Sequence, residues 1–195
     1  MDPAMLLTEG PDAIVDWVVV ELRDATDPTA VESVRCLLIQ RDGDVMDAML
    51  STTLVFAAAI GDHHVAIRHR NHLGVMTATP IALGTSPTLL DLTLPATLTY
   101  GTQARKLLGP HALLWAGDVN HDQRVQYTGE GNDRDPILQA IGGTVPTSIA
   151  ADVYAGEDVN MDGRVQYTGE GNDRDPILQN IGGVVPTSIL QGQLP

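Results

Sequence analysis

Oxygen-bearing side chains alternate over two short stretches of the chain, Asp118-Val-Asn120-His-Asp122 and Asp158-Val-Asn160-Met-Asp162. Donors at the first, third and fifth positions converge on one point when a loop curls, which is how a calcium-binding loop surrounds a hard cation with oxygens. The seventh position of such a loop contributes its backbone carbonyl, a role that falls to Arg124 and Arg164. The sixth position sits at a sharp turn. Gly163 supplies it in the second stretch, whereas Gln123 stands there in the first. A non-glycine residue held at positive φ costs on the order of 1 kcal/mol, so the first site is expected to be the weaker. The twelfth position, normally a carboxylate, is Gly129 or Gly169. The loop is therefore expected to extend through Tyr-Thr-Gly-Glu-Gly and to close on Asp133 or Asp135, and on Asp173 or Asp175 in the second stretch. If Asp135 caps the following helix, Asp133 is the better ligand.

The elements that would position these donors are duplicated too. Residues 117–149 recur as 157–189, and only five of the 33 positions differ, at 117/157, 121/161, 123/163, 140/180 and 144/184. Asp135-Pro136 reads as a helix start, because Asp accepts from free amides and Pro suits the first turn. Ile137, Leu138 and Ile141 then form the apolar stripe of a short helix that Gly142-Gly143 ends. The Gly-Glu-Gly segment lacks the preceding strand, the Lys and the Ser/Thr of a phosphate-binding loop. The pattern Gly-Asp-Val-Asn-x-Asp-Gly-x-Val, in two copies each followed by a short helix, resembles type I dockerin and, more closely, the dockerin-like tails of bacterial secreted proteins. The resemblance covers residues 117 to 189 and implies two calcium sites in an extracellular protein. It departs from cellulosomal dockerin in its longer loop, its 40-residue period and its truncated helix.

Charge narrows the partners. Eleven basic residues, of which only Lys106 is a lysine, stand against 25 acidic ones, for a net charge of −14. A nucleic-acid or anionic-membrane surface needs the opposite balance. The longest uninterrupted apolar run, Leu54 to Ile60, is far short of the roughly 20 residues that span a bilayer, so no membrane insertion is expected. The beginning, Met1-Asp2-Pro3-Ala4, has neither the basic nor the apolar region of a secretion signal. Either the protein stays in the cytoplasm, or the sequence is that of a mature or trimmed form.

Residues 1–112 carry short apolar segments at about ten-residue spacing, the pattern of an antiparallel β-sandwich of immunoglobulin-like type. Strands are expected at Ile14–Leu22, Ser33–Gln40, Thr52–Phe56, His64–Arg70, Val75–Ile81 and Leu89–Leu94. Gly61 to Leu73 also resembles the immunoglobulin-like or transthyretin-like domain that precedes dockerin-like tails in secreted proteins. The expected organisation is thus mainly β: a sandwich over 1–112, with an N-terminal arm, and a calcium module over 113–195. The only cysteine, Cys36, is expected to be buried and inert. His63, His64, His69 and His72 alternate between two faces of a strand, so no three converge on a metal, and an exposed strand edge is expected for them. Arg68 and Arg70 are candidates for stacking on a glycan or pairing with another subunit.

No nucleophile elbow, no His-Glu-x-x-His helix and no Ser/His/Asp set is present, and aromatic residues suited to a glycosidase cleft are few. An enzyme is not expected. The expectation is a calcium-binding extracellular structural protein that self-assembles head to tail, residues 1–10 adding to a neighbouring copy. The rival expectations are attachment to a heterologous cell-surface protein, and glycan binding by the sandwich.

Overall fold

The computed structural model describes residues 7–195, so Met1–Leu6, most of the expected N-terminal arm, lie outside the described residues. The chain is mainly β and antiparallel, and it divides into two compact units. One comprises the described residues up to His69, Val75–Leu113 and Leu194–Pro195; the other comprises Arg70–Gly74 and Leu114–Gln193. The division differs from a cut at 112/113 in two places, since a five-residue strap and the last two residues each belong to the opposite unit.

The first unit is built on β1 (Ile14–Asp24), a valine-rich run long enough to pair on both sides. Its neighbours are β2 (Val31–Gln40) and β4 (Gly61–His69), both antiparallel, with Val20 opposite Arg35 on one side and Ile67 on the other. The sheet runs β3 (Val45–Met46), β2, β1, β4, β5 (His72–Met76), and β6 (Ile81–Leu83) pairs with β4. One face presents Val18, Val20, Leu22, Leu37 and Val65. Irregular chain at Leu54, Phe56, Ala58 and Leu90 packs over it. Thr52–Phe56 and Leu89–Leu94 are therefore not the expected strands: their apolar side chains are used for packing while their backbones make no ladder. A separate hairpin joins β7 (Lys106–Leu108) to β8 (His111–Leu113) across Gly109-Pro110.

Three side-chain expectations in this unit are corrected. Cys36 is exposed, because the alternation that turns Leu37 inward turns Cys36 outward. The histidines of β4 sit on an interior strand, not on an exposed edge, and each is held singly. His63 meets the Glu32 carboxylate at 2.6 Å and the Ala59 carbonyl at 2.9 Å, His64 meets the Thr77 carbonyl at 2.9 Å, and His69 meets Asp16 at 2.9 Å. Arg68 is taken up within the chain, its Nε donating to Glu21 at 2.9 Å beside the buried Arg23.

The second unit contains both repeat copies. The first holds β9 (Arg124–Gln126), α1 (Arg134–Ala140) and β10 (Ile149–Ala151); the second holds β11 (Arg164–Gln166), α2 (Arg174–Asn180) and β12 (Ile189–Gln191). The strands pair crosswise: β10 with β11, and β12 with β9. Each copy's tail strand thus closes the other copy's loop strand. The helices follow the same rule, α1 lying against β11 and α2 against β9. A shared core of Val125, Ile137, Val165 and Ile177, none more than 1% exposed, fixes this pseudo-twofold arrangement, and Leu73 of the strap joins it.

Candidate metal centre

Each loop is shaped by its own side chains before any ion is considered. In the first, Asn120 Oδ1 accepts the Asp122 amide and Asp122 Oδ1 accepts the Arg124 amide, both at 2.9 Å. In the second, Asn160 Oδ1 accepts the Asp162 amide at 3.0 Å and Asp162 Oδ1 accepts the Arg164 amide at 2.9 Å. These side-chain turns curl the chain, and the residues between the donors take left-handed backbone: His121 and Gln123 at φ 63° and 65°, Met161 and Gly163 at 59° and 82°. The positive φ expected at Gln123 is therefore present.

The extension after the strand is held by amide side chains. Gln126 Nε2 donates to the carbonyls of Thr128 and Glu130, and Asn132 Nδ2 donates to the carbonyl of Gly129 and to Asp135. Gly129, at φ 102°, is required here, because a Cβ would lie 2.8 Å from the Gln126 side chain. The second copy repeats every one of these bonds through Gln166 and Asn172.

The helix start differs from expectation. Asp133, not Asp135, occupies the position before the helix, and the free amide of Asp135 is accepted by Asn132 Oδ1 at 3.0 Å. Asp135 and Asp175 instead hold Asn132 and Asn172, with side chains more than half exposed, and the structure does not bring them to the loop donors. Asp133 turns inward. Its Oδ1 accepts the amides of Val119 at 2.8 Å and Asn120 at 3.3 Å, and its Oδ2 accepts the amide of Gln126 at 2.8 Å. Asp173 does the same for Val159, Asn160 and Gln166. Both are fully buried. They tie the start of each loop to the strand that ends it.

Four buried carboxylates follow from this design. Burial pushes Asp133 up to about 7, against the pull of its three amide bonds, and pushes Asp173 up to about 6 against the same pull. Asp118 is raised to about 6 by burial, with the neighbouring Asp122 charge adding to it. Asp158 is raised by burial as well, partly offset by the amides of Gly163 and Asp162 and by Arg70. Asp118 stands out because its Oδ1 is buried with no hydrogen-bond partner while the residue is only 6% exposed. A buried carboxylate oxygen without a protein partner is where a water or a cation is accommodated.

Sequence reasoning had no means of finding the strap. Asn71, fully buried, touches the beginning of both loops: its carbonyl accepts the amides of Gly117 and Asp118, and its Nδ2 donates to the carbonyls of Gly156 and Asp158. Arg70 stacks over the Tyr154 ring at 4.6 Å, donates to the Ala155 carbonyl, and places Nη2 3.9 Å from Asp158 Oδ2. It is not turned outward toward a glycan. Both lie about ninety residues from the second loop and outside the repeat. Gln126 and Asn132, by contrast, were marked by their recurrence as Gln166 and Asn172.

Among the described residues, no three His, Cys, Asp or Glu side chains come close enough to hold a metal by themselves. The donor set in each loop is mixed: two carboxylates, an Asn carbonyl and a backbone carbonyl, the oxygen-only chemistry suited to calcium. Comparison with known proteins returned no matching family model, no matching curated protein and no matching solved structure.

Proposed function

We propose that the duplicated unit is a dockerin-like calcium module, one ion to each loop, and that the protein is an extracellular structural component that self-associates through it. The supporting observation is the orphaned Asp118 Oδ1 inside a loop that Asn120 and Asp122 curl by accepting the amides of Asp122 and Arg124. The ligands are the side chains of Asp118, Asn120 and Asp122 with the Arg124 carbonyl, and Asp158, Asn160 and Asp162 with the Arg164 carbonyl. Asp133 and Asp173 act as internal anchors of the loops. An ion bound there neutralises carboxylates that burial disfavours, and so adds its binding free energy to the folding of this unit. Loops of this kind in extracellular modules work at roughly 10⁻⁴–10⁻³ M calcium, which places the active form outside the cell.

Crosswise closure supports the self-association part. Because β10 closes β11 and β12 closes β9 across the two copies, two chains exchanging halves would remake every one of these pairings. Upstream of the module, the antiparallel β unit is read as an immunoglobulin-like sandwich that carries it.

The test is thermal unfolding, light scattering and negative-stain electron microscopy on metal-stripped full-length protein, with 1–10 mM calcium or chelator added. A higher Tm with calcium-dependent assemblies is expected. An unchanged Tm would refute the calcium reading. A calcium-stabilised protein that stays monomeric at every concentration would refute self-association and favour attachment to a heterologous surface protein.

A further inference from the structure

The two loops are near-copies in sequence, yet their first carboxylates meet different surroundings. Asp158 is satisfied from within the chain: Oδ1 accepts the Asp162 amide at 3.1 Å, Oδ2 accepts the Gly163 amide at 3.0 Å, and the Arg70 guanidinium stands 3.9 Å away. Arg70 is held in that position by the Tyr154 ring and by the carbonyls of Ala155 and Asp158. The second loop therefore contains a resident cation. Asp118 faces the amides of Gln123 and Asp122, the Asp122 carboxylate and the His121 ring, and no arginine or lysine ion pair reaches it among the described residues. Its Oδ1 accepts nothing.

Resting on the calcium reading above, we propose that the loops load unequally: the first is the tighter site, and Arg70 acts as a built-in competitor that weakens the second. This reverses the order expected from Gln123. Gln123 and Gly163 take the same left-handed turn, at φ 65° and 82°, so backbone geometry does not separate the two loops. What differs on binding is the carboxylate. In the first loop the ion meets an oxygen that lacks any partner. In the second it must share or displace a positive charge about 4 Å from a ligand oxygen, an interaction strong enough to change affinity by about tenfold or more.

Calcium titration calorimetry on metal-stripped full-length protein tests this, using variants in exposed loop carboxylates, D122N and D162N, and in the competitor, R70Q. Y154L, at an exposed position, loosens the seat of Arg70 without removing it and serves if R70Q does not fold. Two transitions are expected, separated by about tenfold or more. D122N should remove the tighter one and D162N the weaker one. R70Q or Y154L should tighten the weaker transition and leave the other unchanged. If D122N removes the weaker transition, or if loosening Arg70 leaves the second site as it was, the inference fails while calcium binding stands. Absence of any calcium heat, together with an unchanged Tm, would overturn the calcium reading itself.

Discussion

Asp133 and Asp173 show how one carboxylate can do the work of a crosslink. Each gathers three backbone amides that would otherwise be buried and unpaired, so replacing Asp133 by Ala is expected to cost about 3 kcal/mol or more. Urea denaturation measures the loss, and hydrogen exchange should localise it to the amides of Val119, Asn120 and Gln126. The same residues show where sequence reading stops. Spacing offered Asp133 and Asp135 alike as the carboxylate that closes the loop, and it gave no sign that Asp133 turns onto three amides. Whether a buried carboxylate faces an ion or an amide depends on a backbone path that spacing does not encode. The surface carboxylates behave differently. The Thr26 hydroxyl and the amides of Asp27 and Thr26 hold Asp24 below the ordinary carboxylate range, the amides of Ser51 and Met49 do so for Asp47, and the Thr93 hydroxyl does so for Asp91. A depressed native pKa stabilises the fold above the unfolded value of about 3.9, and that contribution is lost as pH falls through the native one. The sheet unit is therefore expected to lose stability below about pH 4, with Asp24, Asp47 and Asp91 titrating late by carboxyl NMR.

At the scale of elements, crosswise pairing makes a local change act on the other copy. Proline at Leu190 removes a donor from β12 and should cost about 3 kcal/mol. The strand it exposes is β9 of the first copy. Hydrogen exchange should show protection lost over Arg124–Gln126 and largely kept over Ile149–Ala151; equal loss in both would contradict the pairing. The short helices were legible, since Ile137, Leu138, Ile141 and the glycine pair announce them, and the structure places α1 and α2 there. β1 and β2 were legible as short apolar segments set between turn residues. Thr52–Phe56 and Leu89–Leu94 were misread, because an apolar run covering a sheet has the same composition as a strand within one. Position 140/180 shows why one repeat difference exists: Asn180 Nδ2 donates to the Ala116 carbonyl at 2.7 Å.

At the scale of the whole molecule, the repeat-bearing unit cannot be cut out at a single boundary. A fragment of residues 114–193 lacks the strap, and with it the Asn71 bonds to Gly117, Asp118, Gly156 and Asp158, and Leu73 of the core. That fragment should melt well below the same unit in the full chain, and a peptide of residues 68–76 added in trans should recover part of the difference. Neither repeat announces this dependence, because Arg70-Asn71 resembles nothing in the copies it serves. Closure of the first loop by β12 also sets an order in time. In a chain emerging amino end first, Asp118 to Asp122 appear some seventy residues before Ile189–Gln191 supply the partner of β9. Over that interval the acidic stretch travels open and uncompensated. If the loops hold calcium as proposed, its capture is deferred until both copies have emerged, and chains arrested before residue 189 should lack it.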